Sequence, residues 1–128
     1  MKTTMRAILI AIAAIAALTG ISASNANAQG AGFDGFWSVL VITDKGDCDR
    51  AYRYPVRIRG GKVGHADPSN TSFIIGGRVA AGGVVRVFVS RADQRADGAG
   101  RLTRAGGGGM WKSARRGCSG RWTAERRG

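Results

Sequence analysis

The sequence predicts an all-β fold: a small antiparallel meander of about eight strands closing into a barrel, with a two-sheet sandwich as the alternative. Three observations point there. Glycine occurs 21 times in 128 residues, 20 of them after residue 28, and each glycine inside a helix costs about 1 kcal/mol. Apolar residues in the same region alternate with polar ones at period two in short blocks, the pattern of half-buried strands. Glycine clusters or Asp-containing turns separate these blocks, as tight hairpins require.

The chain begins with a different composition. Lys2 and Arg6 precede Ala7 to Leu18, twelve residues without a polar side chain, and Ala26-Asn27-Ala28 supplies small residues in an A-x-A pattern. These are the parts of a secretory signal peptide, expected as a helix removed by cleavage after Ala28. Twelve apolar residues fall short of the roughly 18 needed to cross a bilayer. The expected product is one 100-residue domain, residues 29–128, periplasmic or secreted, with no transmembrane segment.

Within that domain the first strand is expected over Phe36 to Thr43, ended by Asp44-Lys45-Gly46-Asp47. Tyr52 to Arg59 is the clearest block: Tyr52, Tyr54, Val56 and Ile58 share one face, and Arg53, Pro55, Arg57 and Arg59 the other. Pro55 cannot donate to a ladder, so an edge or a bulge is expected there. Gly60-Gly61 supplies the positive φ angles of a two-residue turn, and the chain returns through Lys62 to His65. Further strands are expected over Thr71 to Ile75, Arg78 to Ala81, Val84 to Ser90, Arg95 to Thr103, Met110 to Ser113 and Gly120 to Arg126, with Gly106 to Gly109 read as a separator.

Cys48 and Cys118 are the two cysteines. In an exported chain one structural disulfide is expected, because C-x-x-C is absent and a single histidine leaves metal or redox readings without partners. Cys48 falls just beyond the first strand and Cys118 just before the last. In a closed meander those strands are neighbours, so the bridge would staple the seam.

Three Gly-x-Trp triplets occur, at Gly35-Phe36-Trp37, Gly109-Met110-Trp111 and Gly120-Arg121-Trp122. The first, opening the first strand, resembles the Gly-x-Trp of lipocalins and avidins. That resemblance implies that Trp37 plugs one barrel end beneath an arginine of the last strand, Arg121 or Arg126, in a cation–π contact. Trp111 and Trp122 are read as core residues. Small barrels tend to be filled by their own side chains, so a ligand cavity is not expected from size alone. The whole domain also resembles a group of short exported alphaproteobacterial proteins. The shared stretches are Phe33 to Val39 (Phe-Asp-Gly-x-Trp-Ser-Val), Cys48 to Ile58 and Cys118 to Arg126. This resemblance implies origin and export and carries no activity.

Charge is the strongest functional signal. The full chain is +12, and the domain after residue 28 retains 18 basic residues, 15 of them arginine, against eight acidic ones. Arginine forks suit carboxylate, phosphate and sulfate. Arg53, Arg57 and Arg59 are expected as an outward row, extended by Arg78 and Arg86 on neighbouring strands, that binds an anion. The leading expectation is therefore a non-enzymatic exported barrel binding anionic lipid, lipopolysaccharide or acidic polysaccharide; nucleic acid is not an expected partner. A small-ligand binder of lipocalin or avidin type is the alternative, followed by an inhibitor of an envelope hydrolase.

Catalytic chemistry has little to draw on. His65 is the lone histidine and Glu125 the lone glutamate, whereas general bases are most often histidine and paired carboxylates need two. Asp67 and Ser69 lie near His65 in sequence, as do Ser72 and Ser90 further on, without a spacing that specifies a triad. Asp44, Asp47 and Asp49 gather around Cys48, but turns use Asp routinely. No catalytic residue, metal or cofactor is expected.

Overall fold

The computed structural model describes residues 31–128; the expected leader, its helix and its cleavage point lie outside the described residues. A short 3-10 turn, Ala31–Phe33, precedes eight strands: β1 (Gly35–Lys45), β2 (Ala51–Arg59), β3 (Lys62–His65), β4 (Ile74–Val79), β5 (Val84–Arg91), β6 (Gln94–Leu102), β7 (Gly106–Ser113) and β8 (Cys118–Arg126). Each pairs antiparallel with the next, and β8 returns to β1, so the sheet is a closed barrel. Closure leaves no edge to attract another chain. Among the described residues no helix is long and apolar enough to cross a membrane.

Alternation along each strand decides what fills the barrel. Trp37 on β1, Val56 and Ile58 on β2, Val79 and Val85 on β4 and β5, and Trp122 on β8 all point inward and are buried. Their sequence neighbours, arginines among them, face outward. The Gly60-Gly61 turn between β2 and β3 takes φ of 58° and 78°, a left-handed pair that only glycine adopts without cost.

Three local expectations change. The blocks Thr71 to Ile75 and Arg78 to Ala81 are not two strands: they merge into β4 through Gly76-Gly77, because β5 pairs with this stretch from Ile74 to Val79 without a gap. The glycines 106–109 are not a separator. They form the first half of β7, paired on one side with β6 and on the other with β8. A Cβ at Gly107 would lie 2.8 Å from Leu102 Cδ2, so the bare backbone leaves the interior to larger neighbours. Finally, Pro55 lies inside β2. Its carbonyl accepts from Ala66 N–H at 3.0 Å, and in an antiparallel ladder N–H and C=O of one residue face the same neighbour. The β2–β3 register begins at Val56 opposite His65, so the missing proline N–H falls where β3 has already ended.

Cys48 and Cys118 are bridged across 70 residues. The bridge joins the β1–β2 loop to the first residue of β8, beside the β1–β8 seam. In the chain-entropy model a loop of this length contributes up to about 4 kcal/mol. Replacing both cysteines by serine should lower the urea midpoint and raise the m-value, because the unbridged chain unfolds to a more open ensemble. An unchanged midpoint would show that strand pairing alone holds the seam.

Candidate functional site

The two ends of the barrel are built differently. At one end, which receives the β2–β3, β4–β5 and β6–β7 turns, the segment before β1 lies across the opening. Trp37 Nε1 donates to Phe33 O at 2.8 Å. The Asp34 carboxylate accepts from Gly60 N–H at 2.9 Å and Gly61 N–H at 3.3 Å, pinning the lid to the β2–β3 turn. Arg126, the last residue of β8, donates to the carbonyls of Gly32 at 2.9 Å and Arg104 at 3.0 Å and to that of Asp34. Its guanidinium also stands 5.3 Å from the Trp37 ring, a cation–π distance. This end is shut.

The arginine over Trp37 is therefore Arg126. Arg121 is not at that place: it is exposed near Asp44, with 3.7 Å between their charged atoms. Strand alternation explains the difference, since Trp122, Ala124 and Arg126 share the inward side of β8 and Arg121 must face out.

The interior is not filled by its own side chains, contrary to the expectation from barrel size. An apolar cavity of about 90 Å³ remains, walled by residues including Val39, Val87 and Gly98. The physical reason lies on β6 and β7. Apart from Leu102 and Trp111, their inward positions are Ala96, Gly98 and Gly100, then Gly107 and Gly109, so a patch of wall across two adjacent strands carries almost no side chain. Trp122 takes part of the space: a Cβ at Gly100 would stand 2.7 Å from its Cζ2. The rest stays open. Trp111 Nε1 donates to Ile42 O at 2.9 Å, whereas the buried Trp122 Nε1 has no hydrogen-bond partner among the described residues.

The opposite end is a mouth, a recess of about 290 Å³ that shares wall residues with the cavity. Tyr52, Tyr54 and Phe73 stack along one side, with Tyr54 and Phe73 edge-to-face at 5.2 Å. Arg91 and Arg116 stand on the rim with Asp47 and Asp49. Arg95 is already engaged, bonded to Asp97 at 2.9 Å and lying 4.1 Å from the Phe88 ring. Among the described residues, Arg91 and Arg116 enter no ion pair. Burial raises the Tyr54 phenol above its ordinary pKa, with Tyr52 and Asp49 adding to the rise and Arg91 opposing it. Tyr54 thus keeps its proton at neutral pH and brings a hydroxyl, not a charge, to the mouth.

The outward arginines stand elsewhere. Arg53 donates to Ser38 Oγ at 3.2 Å, and Arg57 lies 4.9 Å from the Phe36 ring. Arg59, Arg78 and Arg86 are exposed near the shut end. His65 closes β3, and its Nδ1 accepts from Asp67 N–H at 2.9 Å. Ser69 donates to Asp67, by backbone N–H and by hydroxyl, and this holds the Asp67 carboxyl below its usual range. The group is a turn: Ser69 bonds Asp67, and Asp67 presents its backbone, not its carboxylate, to the imidazole.

Tyr52 and Tyr54 are legible in the sequence as inward residues of their strand. Phe73, Arg91 and Arg116 carry no such signal, because they sit at strand ends or in loops that only closure brings together. Comparison of the chain with protein-family models, with curated proteins and with solved structures finds no match.

Arg126 offers a direct test of the shut end. A lysine keeps the charge but not the fork that reaches three carbonyls. Arg126→Lys and Arg126→Ala should both lower stability, by about 2 kcal/mol for alanine on the scale of charged hydrogen bonds, with lysine recovering less than half in thermal denaturation. Full recovery by lysine would mean that charge alone suffices.

Proposed function

We propose that this barrel binds a small amphipathic molecule, with its apolar part in the interior and its polar head at the mouth beside Arg91 and Arg116. One observation carries the reading: the apolar cavity and the polar mouth adjoin, sharing Val41, Tyr54, Val89, Ala96 and Trp111 as common walls. Carbon forms almost all of the inner wall, so water there would find few hydrogen-bond partners, and such cavities favour apolar guests. Each methylene placed inside contributes about 0.8 kcal/mol. The space limits the guest to a short chain or a single ring system. At the rim, two guanidiniums without ion-pair partners favour a carboxylate or sulfonate head.

Binding, not turnover, is the role this chemistry supports, because the titratable side chain of the inner wall is Tyr54, whose raised pKa keeps it a neutral hydroxyl. The barrel with one shut end and one open end also agrees with the lipocalin and avidin resemblance of Gly35-Phe36-Trp37.

Fluorescence titration with 5-dimethylaminonaphthalene-1-sulfonate, a single apolar ring system bearing one anionic group, tests the proposal. One molecule should bind per barrel, and octanoate should displace it. Ala96→Phe, which fills the passage between mouth and interior, should weaken the probe about tenfold or more without lowering the melting temperature by more than a few degrees. Arg91→Gln with Arg116→Gln should weaken octanoate while sparing octanol. Unchanged probe binding in Ala96→Phe would place the probe outside the barrel and overturn the reading.

A further inference from the structure

A second surface, at the other end of the molecule from the mouth, has a regularity that the pattern of single strands does not reveal. In the strand register Arg59 lies opposite Lys62, Lys62 opposite Arg78, and Arg78 opposite Arg86. Four cations on four consecutive strands thus form one row across β2, β3, β4 and β5. All four are exposed. Residues directly opposite in an antiparallel pair have Cβ atoms roughly 4.5–5.5 Å apart, and like charges so placed are destabilising. Folding alone gives no reason to set them there.

No ion pair compensates them: among the described residues none involves Arg59, Lys62, Arg78 or Arg86. Asp44, Asp47, Asp49, Asp67, Asp93 and Asp97 all lie toward the mouth. The two acidic residues at the shut end are both occupied, Asp34 by the Gly60 and Gly61 amides and Glu125 by Arg127 at 3.1 Å. Charge is therefore segregated along the barrel, and the shut end carries a row of cations with no internal partner.

We infer that this row is a binding site for a linear polyanion, specifically an acidic polysaccharide chain bearing one carboxylate per sugar. Three features select that partner. The cations repeat at the strand spacing, about 4.8 Å, so successive carboxylates along a chain can each meet one cation. The row is convex, turning through roughly three of the eight strand-to-strand steps of the barrel; a flexible chain can follow that curve, whereas a flat bilayer touches only its crest. The β2–β3 and β4–β5 turns beside the row present Gly60, Ala80, Ala81 and Gly82, and the large apolar side chain exposed beside them is Val84 alone, too little to anchor the row in a membrane. Three of the four cations extend the expected arginine face, while Arg53 and Arg57 fall outside the row with partners of their own. The site is separate from the mouth and independent of the guest proposed there.

The test uses the folded, disulfide-bonded domain and measures binding to oligogalacturonate by calorimetry at low and raised salt. The variant Arg59→Gln/Lys62→Gln/Arg78→Gln/Arg86→Gln is compared with Arg50→Gln/Lys112→Gln/Arg115→Gln/Arg121→Gln, which removes equal charge elsewhere. The row variant should lose about tenfold or more in affinity at low salt, and its salt dependence should flatten; the control should lose less than threefold. Relief of repulsion should leave the melting temperature of the row variant unchanged or raised, which separates lost binding from lost fold. Equal losses in the two variants would show that net charge and not the row is responsible, and overturn the site. Tighter binding to phosphatidylglycerol vesicles or to single-stranded DNA than to oligogalacturonate would overturn the choice of partner.

Discussion

Pairing of the first strand with the last is the constraint on which the rest of this molecule depends. From Trp37 opposite Arg126 to Lys45 opposite Ser119, β1 and β8 run side by side, and that contact converts a ribbon of hairpins into a tube. It is the least local pairing in the chain, so its loop-closure entropy is the largest any strand pair must overcome. Both ends of the seam are reinforced. The Cys48–Cys118 bridge holds it at the mouth. At the shut end Phe36 N–H donates to Gly128 O and Arg127 N–H to Phe36 O, at 2.8 and 2.7 Å, and Arg126 ties β8 to the lid.

Closure also sets the chemistry of the interior. In a tube of eight strands the inward side chains compete for one space, and here they divide it unequally. Three tryptophans, Trp111 of β7 among them, and a wall of valines and isoleucines occupy most of the interior, while β6 and β7 otherwise contribute mainly alanine and glycine. That asymmetry produces both the close packing of Trp122 against β6 and the open space beside it. A barrel with ordinary valines at Gly98 and Gly100 would have no such room, and Trp122 would have to move.

The distribution of charge follows from the same geometry. Loops at the mouth carry most of the aspartates, whose turn-forming role explains their place there. The tight glycine turns at the opposite end need none. Arginines on the outward faces of β2, β4 and β5 are consequently left without acidic neighbours, and antiparallel register lines them up with Lys62. The molecule has an acidic-and-basic mouth and a basic far end, two surfaces differing in shape and in electrostatics.

The one-dimensional pattern was enough to determine the all-β class, the meander, the Gly60-Gly61 hairpin, the inward set of Tyr54, Val56 and Ile58, and the neighbourhood of the two cysteines. Each is a consequence of local alternation, turn chemistry or chain order, which are written in adjacent residues. Tertiary structure decided the remainder. The glycines 106–109 look like a loop in isolation, since glycine has weak strand preference, and become strand because β6 and β8 pair with them on both sides. Arg126 and not Arg121 meets Trp37 because the register of β8 against β1 fixes which parity faces inward. The cavity, the convergence of Phe73, Arg91 and Arg116 at the mouth, and the four-cation row all arise from residues far apart in the chain, and their distances exist only once the tube has closed.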